Sequence, residues 1–454
     1  MTEPDTNSRT RQHLVLTLAC AAMAMVGLDT AIANVALPSI QRDLGMSRGA
    51  LQWVVVAYGL LLGGFLLVGG RMVDNFGRRR MFVAGLAAFT LASLLAGTAH
   101  HAGLLVAARA AQGFGAALIV PSALSLLAVT FAEGPERDRA LGLFGAAGGA
   151  AGSVGVVAGG LLAAGPGWRW AYFINVPAGI GFIVLAAGFL APDRSGARAP
   201  RLNIGGAVTV TAGLLIFVYA VHHPMWFPAA ALLLALFARI EARAANPLVP
   251  AALLRNRSLV ASNVTAFLAS CALLSFIFIG SLFMQQALGY SPAITGLAWL
   301  ATTVTVFPAS MAGARLVSVA GVRRVLFTGL SVLAAGALWL ALGHDRYVTG
   351  LLPAFLLTGL GFGLCGPALQ IGALTGVRRS SAGLASGLVE TMREVGGAAG
   401  VAAVSAVLVA GTGGFRAAFA GVSVLAVLGV VSAYFIPARA IPSRPVPSRS
   451  IPAQ

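Results

Sequence analysis

Fourteen apolar stretches follow one another along this chain, and the connections between them are alternately rich and poor in arginine. A helix crossing a hydrocarbon layer of ~30 Å needs about 20 predominantly apolar residues. The stretches run 14–36, 51–70, 81–99, 103–131, 140–164, 171–191, 204–221, 225–240, 259–285, 292–314, 322–343, 347–374, 382–411 and 416–436. Hydrophobic residues make up 58% of the chain and charged residues 9%, outside the range of a water-soluble domain. Lysine is absent, so all 30 basic residues are arginines. Arg42, Arg48, Arg169, Arg346 and Arg416 fall on one side of the alternation, and Arg109 and Arg393 lie inside apolar stretches. All the others fall on the opposite side, together with both termini. Positive residues accumulate on the cytoplasmic face of membrane proteins. The reading is therefore an all-α polytopic membrane protein with fourteen transmembrane helices and both termini cytoplasmic.

A net charge of +17 and a pI near 11.5 would suit a nucleic-acid binder if the charge formed one basic face. Here it is confined to short loops between spans, so orientation accounts for it and nucleic acid is not expected as a partner. Without lysine there is no phosphate-loop lysine and no Schiff-base lysine, which argues against an ATP-driven pump or a membrane enzyme. Cys20, Cys271 and Cys365 each sit in a separate apolar stretch and read as small core residues without a disulfide. His100-His101 and His222-His223 fall in loops without metal-ligand spacing. The first stretch ends in Asp29 and Pro38 with no small-residue cleavage pattern, so it reads as a retained span and not a signal peptide.

The organisation follows from the count. Residues 1–13 form a cytoplasmic N-terminus and 14–191 a six-helix bundle. A linker, 192–258, contains a transmembrane hairpin over 204–240 that turns at His222-His223-Pro224. A second six-helix bundle covers 259–436, and 437–454 is a Pro/Arg/Ser-rich cytoplasmic tail. Within the hairpin, 225–240 is short for a span and needs a thin or tilted fit. A shift of 244 residues places Gly69, Arg71, Gly77, Arg79 and Arg80 on Gly313, Arg315, Gly321, Arg323 and Arg324. Parallel repeats of this kind build one class of secondary transporter, with the substrate between the halves.

Several motifs then converge. The loop from Gly70 through Arg71, Asp74, Asn75, Gly77, Arg78 and Arg79 to Arg80 resembles the loop motif between spans two and three of the major facilitator superfamily. Leu28-Asp29-Thr30-Ala31-Ile32-Ala33-Asn34-Val35-Ala36-Leu37-Pro38 resembles the first-span motif of its fourteen-span drug:proton antiporter branch. Arg109-Ala110-Ala111-Gln112-Gly113 is similar to the fourth-span motif, and Trp168-Arg169-Trp170 through Asn175-Val176-Pro177 to the start of the sixth span. Together these cover the first half, and Gly383 to Gly400 adds support in the second. Val156 stands where the fifth-span antiporter motif has proline, and Asn75 where the loop motif has arginine. The first departure bears on antiport; neither touches the fold.

Ionisable groups at bilayer depth are costly and are functional candidates by default. At 1.5 Å per residue, Asp29 lies ~12 Å and Arg109 ~9 Å from the outer end of their spans, so they can pair if spans one and four are neighbours. Two readings stand: a static ion pair, or a carboxylate whose proton affinity Arg109 lowers and burial raises. The resemblance gives the fourth-span arginine a proton-coupling role. Glu390 and Glu394 are four residues apart and share a helix face, ~15 and ~20 Å deep by the same rise, with Arg393 beside them. They read as a coupled pair that carries protons or binds a cation, or as a neutral Glu–Arg–Glu cluster. Some drug antiporters of the branch carry an acid in this span.

Asn34, Gln112, Gln285 and Arg393 are candidates for lining a substrate cavity. Gly70, Asp74, Gly77, Arg78 and Arg79 form either a gating loop, as the resemblance implies, or ordinary charge anchoring. Gly155 and Gly159 belong to a run of glycines at three- and four-residue spacing (Gly145, Gly148, Gly152, Gly155, Gly159) that lets helices approach closely. Trp53, Trp168, Trp170, Trp226 and Trp299 read mostly as an interfacial aromatic belt.

The resemblance implies a proton-coupled exporter of amphipathic drugs, antibiotics or secondary metabolites working by alternating access. It would be powered by the proton gradient, without a cofactor, and act as a monomer in the lipid bilayer. A facilitator or importer on the same fold is the alternative; the few in-membrane polar groups favour hydrophobic or cationic cargo. Topology is directly testable by cysteine-accessibility labelling. Positions 45 and 345 should react from outside and positions 75, 196 and 379 only from inside. Labelling of 196 and 250 from opposite faces would exclude the hairpin.

Overall fold

The computed structural model describes residues 6–131, 135–190, 203–221, 224–244, 247–343, 346–377, 382–410 and 414–437. Arg194, Arg198, Arg201, Arg378, Arg379, the His222-His223 turn, position 345 and the tail beyond 437 lie outside them. The described residues hold helices and no strand, the solution open to a chain in lipid, where backbone groups find no water. The first six long helices are α1 (Thr6–Leu44), α2 (Trp53–Phe76), α3 (Arg78–Gly97), α4 (Ala102–Thr130), α5 (Pro135–Ala164) and α6 (Asn175–Phe189). Two shorter ones follow, α7 (Ile204–Ala220) and α8 (Phe227–Arg243). The last six are α9 (Arg257–Leu282), α10 (Leu300–Ala320), α11 (Val322–Ala341), α12 (Leu352–Leu374), α13 (Ala382–Val409) and α14 (Gly414–Ala433).

Twelve of these, α1–α6 and α9–α14 with their flanking turns, are long and apolar enough to cross a membrane. Helices α7 and α8 have 17 residues each, about 26 Å at 1.5 Å per residue. They pack against each other as a hairpin where one was expected. The first helix is longer at both ends than its apolar stretch, because Thr6–His13 continue the helix before it and Leu37–Leu44 after it.

The two halves repeat each other. In the first, α1 packs on α5, α2 and α3 on α4, and α3 on α6; in the second, α9 packs on α13, α10 and α11 on α12, and α11 on α14. The repeat extends to backbone torsions. Gly77 ends α2 and begins α3 at φ 98°, ψ 149°; Gly321 ends α10 and begins α11 at φ 84°, ψ 156°. This region of positive φ with extended ψ is open to glycine alone, which explains why both positions of the 244-residue shift hold glycine. Gly69 and Gly313 are likewise matched: a side chain at the first would collide with the Ala117 carbonyl of α4, and at the second with the Leu364 carbonyl of α12.

One end of the molecule, carrying Asp43 and Gly289, is sealed. There a single hydrophobic core runs across both halves, from Val35, Leu37 and Ile40 of α1 to Phe276, Trp299, Phe355 and Phe419 of the second half. Trp299 stacks on Phe355 with ring centres 4.4 Å apart. Toward the Gly77 end the core splits into two clusters, one wholly in the first half and one mainly in the second. The seam between α2 and α13 stays closed along most of its length, with Gly59 and Gly63 against Glu394 and Thr391. The hairpin docks on α2, where Thr211 Oγ1 donates to the Gly64 carbonyl at 3.1 Å. The following linker buries Leu248 and Val249 in the core shared by Val68 of α2 and Leu388 and Val389 of α13.

The tryptophans correct the sequence reading. Trp170 and Trp226 are exposed, but Trp168 and Trp299 are buried, each with its indole N–H bonded, to Asp43 and Ser281 respectively. They staple the sealed end and do not belong to a belt.

Helix α5 shows which glycines the packing uses. A side chain at Gly155 would sit 2.8 Å from Ala31 Cβ and 2.9 Å from the Leu28 carbonyl, and one at Gly159 2.8 Å from Ile32 Cα. Nothing lies within 4 Å of a side chain built at Gly145 or Gly152. Thus α1 is held through Gly155 and Gly159, and through Gly148 against Met23, while Gly145 and Gly152 are spectators. Gly155→Ala should destabilise the protein by about 1–3 kcal/mol through overpacking. Gly152→Ala should be neutral or stabilising by up to ~1 kcal/mol, since alanine is the better helix former. Thermal unfolding of the two purified variants checks this.

Candidate functional site

The first site residue on the chain is Asp29, halfway along α1. Its side chain has no exposure, and Arg109 on α4 has 1%. Helices α1 and α4 pack, so the two meet: Arg109 Nη1 donates to Asp29 Oδ2 at 2.5 Å. Two amides donate to the other carboxylate oxygen, Gln112 Nε2 at 2.9 Å and Asn175 Nδ2 at 2.8 Å. Gln112 completes the ring, accepting from Arg109 Nη1 at 2.9 Å and donating to Ser93 Oγ at 2.8 Å. Arg109 Nε donates to the Val54 carbonyl at 2.8 Å, and the guanidinium lies over the Tyr58 ring, 4.2 Å from its centre. Both oxygens of Asp29 are therefore occupied by donors, and the arginine is covered on a face. Such a cluster holds a buried charge pair at low cost only because it is complete; removing one partner costs about 3–5 kcal/mol.

Gln112, expected to line a cavity, is instead a fully buried member of this cluster. Four members were not singled out in the sequence. Asn175 stands in the quoted sixth-span motif at the first turn of α6, so its motif was the available signal. Ser93, Tyr58 and Val54 carry no signal, since nothing in a single sequence tells which apolar-helix positions face α4.

The second site is on α13. Arg393 Nη1 donates to Glu390 Oε2 at 2.9 Å, and these side chains are 35% and 28% exposed. Both are thus partly accessible, although they lie within a helix long enough to span a membrane. Arg393 also lies 6.0 Å from the centre of the Phe362 ring on α12. Glu394, one turn beyond Glu390, makes no hydrogen bond or ion pair among the described residues. It sits against Gly59 and Gly63 of α2, whose missing side chains leave room for it. Within the expected carboxylate pair the bonding is unequal: Arg393 bonds Glu390, while Glu394, beside both, has no bonded partner among the described residues. Along α2, Gly59 and Gly63 are five and nine residues past Val54, so Glu394 lies ~8–14 Å from the Arg109 contact.

The remaining candidates fall elsewhere. Asn34 is buried and donates to the Thr30 carbonyl of its own helix at 2.8 Å, so it does not line an opening. Gln285 sits in a π-turn after α9, Phe283–Ala287, and donates to the Val35 carbonyl of α1 at 3.1 Å. Gln286, next to it, donates to Gln41 Oε1 at 2.6 Å. Both glutamines fasten the two halves at the sealed end; neither is at a cavity wall. At the opposite end, Arg78 Nε donates to Ser125 Oγ on α4 at 2.8 Å, and Arg79 donates to the Ala187 carbonyl on α6. These bonds stay within the first half. Gly70 faces Pro121 of α4, and the Asp74 side chain lies outside the described residues. Gly155 and Gly159 hold α1, as above, while the other face of α5 meets the second half: a side chain at Gly160 would lie 2.6 Å from the Pro292 carbonyl.

The sequence pattern of the Major Facilitator Superfamily matches residues 19–401 and again 262–454. The puromycin resistance protein pur8 of Streptomyces alboniger is 39% identical over 84% of this chain and 79% of its own length. The cephamycin export protein CmcT of Amycolatopsis lactamdurans is 38% identical over 94% of this chain and 92% of its own. The multidrug resistance protein Stp of Mycobacterium tuberculosis is 32% identical over 88% and 76%. Among solved structures, the human organic anion transporter MFSD10 superposes with a TM-score of 0.63 over 95% of this chain and all of its own, at 17% identity. That likeness is one of fold. On the family match, the relatives and the repeated six-helix halves together, this chain belongs to the Major Facilitator Superfamily and is a multi-pass membrane transporter, not an enzyme.

Proposed function

We propose that the protein is a proton-coupled exporter of amphipathic, preferentially cationic, antibiotics or related metabolites, of the fourteen-span drug:proton antiporter branch. In this reading the Gly77 end and both termini are cytoplasmic, and α7 and α8 complete fourteen spans. The relatives' names, which concern puromycin, cephamycin and several drugs, support export of small organic molecules. The observation that carries the mechanism is Glu394. It is a carboxylate at the seam of the two halves, one turn from an accessible Glu390–Arg393 pair, with no protein cation bonded to it.

A buried positive charge without a partner costs several kcal/mol, so a cationic cargo needs such a carboxylate. A proton and the cargo then compete for the same group, and binding one releases the other. Loading occurs while the Gly77 end is open and the glutamine contacts at the other end are closed. Rocking of the halves exchanges the two closures, and protonation of Glu394 from outside expels the cargo. Asp29 contributes in a different manner. Its ionised form is satisfied by three donors, so a proton arriving there breaks the cluster and frees α1, α4 and α6 to shift.

Two experiments test this. Glu394→Gln in a host lacking its own exporters should lose most resistance to cationic compounds and keep much of it for neutral ones. Glu390→Gln should have the milder effect. Equal loss for both cargo classes would make Glu394 a coupling group only, and no loss for either would leave it without a role in transport.

The second concerns Asp29. Asp29→Asn leaves Arg109 unpaired and should lower stability by about 3–5 kcal/mol. Adding Arg109→Gln should restore most of the stability, yet leave efflux driven by a pH gradient in everted vesicles abolished. Normal gradient-driven efflux by the double variant would reduce the cluster to a structural ion pair.

A further inference from the structure

The inserted hairpin carries a feature outside the two polar sites described above. Leu232, Leu236, Arg239 and Arg243 are spaced four, three and four residues apart on α8, which puts them on one helix face. Leu232 and Leu236 are exposed, and so are both arginines. From Leu232 to Arg239 the face runs seven residues, ~10 Å, apolar first and then cationic. At the cationic end is an open cleft of about 400 Å³ lined by Asn203, Leu236, Arg239, Ile240, Arg243 and Ala244.

The charge in that cleft is not balanced from within. Glu241, between the two arginines in sequence, has both oxygens engaged elsewhere. Oε1 accepts the Val249 N–H at 2.5 Å and Oε2 accepts from Asn203 Nδ2 at 2.9 Å. Asn203 is itself fixed, its Oδ1 capping α7 through the Gly206 N–H at 3.0 Å. Glu241 is therefore held away from the arginines by the linker and the start of α7. No carboxylate pairs with Arg239 or Arg243 among the described residues. Two guanidiniums at i and i+4 repel one another, and an anion between them removes that cost.

We propose that this cleft binds the phosphate of an anionic glycerophospholipid, with an acyl chain lying along Leu236 and Leu232. On the proposed fourteen-span reading, in which α8 crosses the bilayer, the position argues for a lipid over a free phosphate: the cleft lies at the arginine-rich end of α8, and the exposed Leu236 and Leu232 continue from it along the helix. Guanidinium groups suit a phosphodiester because their paired N–H donors match its oxygens. Near a membrane surface each arginine contributes about 1 kcal/mol toward anionic lipid, so two correspond to about thirtyfold in affinity.

The test uses the full chain, purified in detergent, stripped of lipid and titrated with phosphatidylglycerol or phosphatidylcholine, with bound lipid counted by native mass spectrometry. Arg239→Gln with Arg243→Gln should weaken phosphatidylglycerol binding at one site about thirtyfold and leave phosphatidylcholine binding unchanged. Arg255→Gln with Arg257→Gln, a charge-matched pair of exposed arginines elsewhere at the same end, should retain the site. Leu232→Gln with Leu236→Gln should also weaken phosphatidylglycerol, with both arginines intact. Retention of phosphatidylglycerol by the Arg239/Arg243 variant overturns the proposal, as does equal loss in the Arg255/Arg257 variant. Displacement of the lipid by millimolar inorganic phosphate would mean that the cleft reads a free anion, and would overturn it too.

Discussion

Everything in this molecule depends on how closely its helices approach. In hydrocarbon the backbone must satisfy itself, so the chain becomes helices, and apolar side chains gain little by leaving lipid for protein. Association then rests on surface contact, which is greatest where glycine removes the side chain. Gly155 and Gly159 bring α5 onto α1, Gly69 and Gly313 bring α2 and α10 onto α4 and α12, and Gly59 and Gly63 let α13 lie on α2. The same closeness makes polar chemistry possible. The Val54 carbonyl reaches Arg109, and Glu394 finds space beside α2, because no side chain stands between.

The two acidic sites show how environment separates residues of one chemical type. Asp29 is enclosed, paired with an arginine and bonded by two amides. Glu394 lies against α2 at the seam of the halves and has no bonded partner among the described residues. The first arrangement pairs opposite charges and links five helices of one half, α1, α2, α3, α4 and α6. The second sits at the boundary between halves, where the proposed function has an incoming cation or proton meet a carboxylate. A transporter that couples two movements needs both a group the cargo reaches and a group whose state changes packing, and the proposed function assigns those tasks to these two sites.

The asymmetry between the two ends is equally physical. At the Asp43 end one apolar core crosses both halves, the glutamines of the π-turn hold α1, and Trp168 and Trp299 are pinned by hydrogen bonds. At the Gly77 end each half keeps its own core, with the α2–α13 seam and the linker joining them. Leu248 and Val249 are wedged where the halves meet, and Arg71 donates to the Pro247 carbonyl at 2.8 Å. The inserted hairpin is thereby tied to both halves instead of hanging from the bundle.

Much of the architecture was legible in the amino-acid order. Apolar length and arginine alternation are properties of single segments, so the helices, the hairpin and the repeat could be read without knowing which segments touch. The depth of Asp29 and Arg109 followed from the rise per residue, and their pairing needed one further fact, that α1 adjoins α4. Neighbour identity is what a sequence does not contain. Facing directions around a uniformly apolar helix have no hydrophobic contrast, so Gln112 and Asn34 were assigned to a cavity although both are buried, and Gln285 although it closes the far end. Asn175 and Ser93 joined Asp29 only through three-dimensional packing. The different surroundings of Glu390 and Glu394 likewise appear only in three dimensions: both lie on one face of α13, but Arg393 bonds the first and α2 packs against the second.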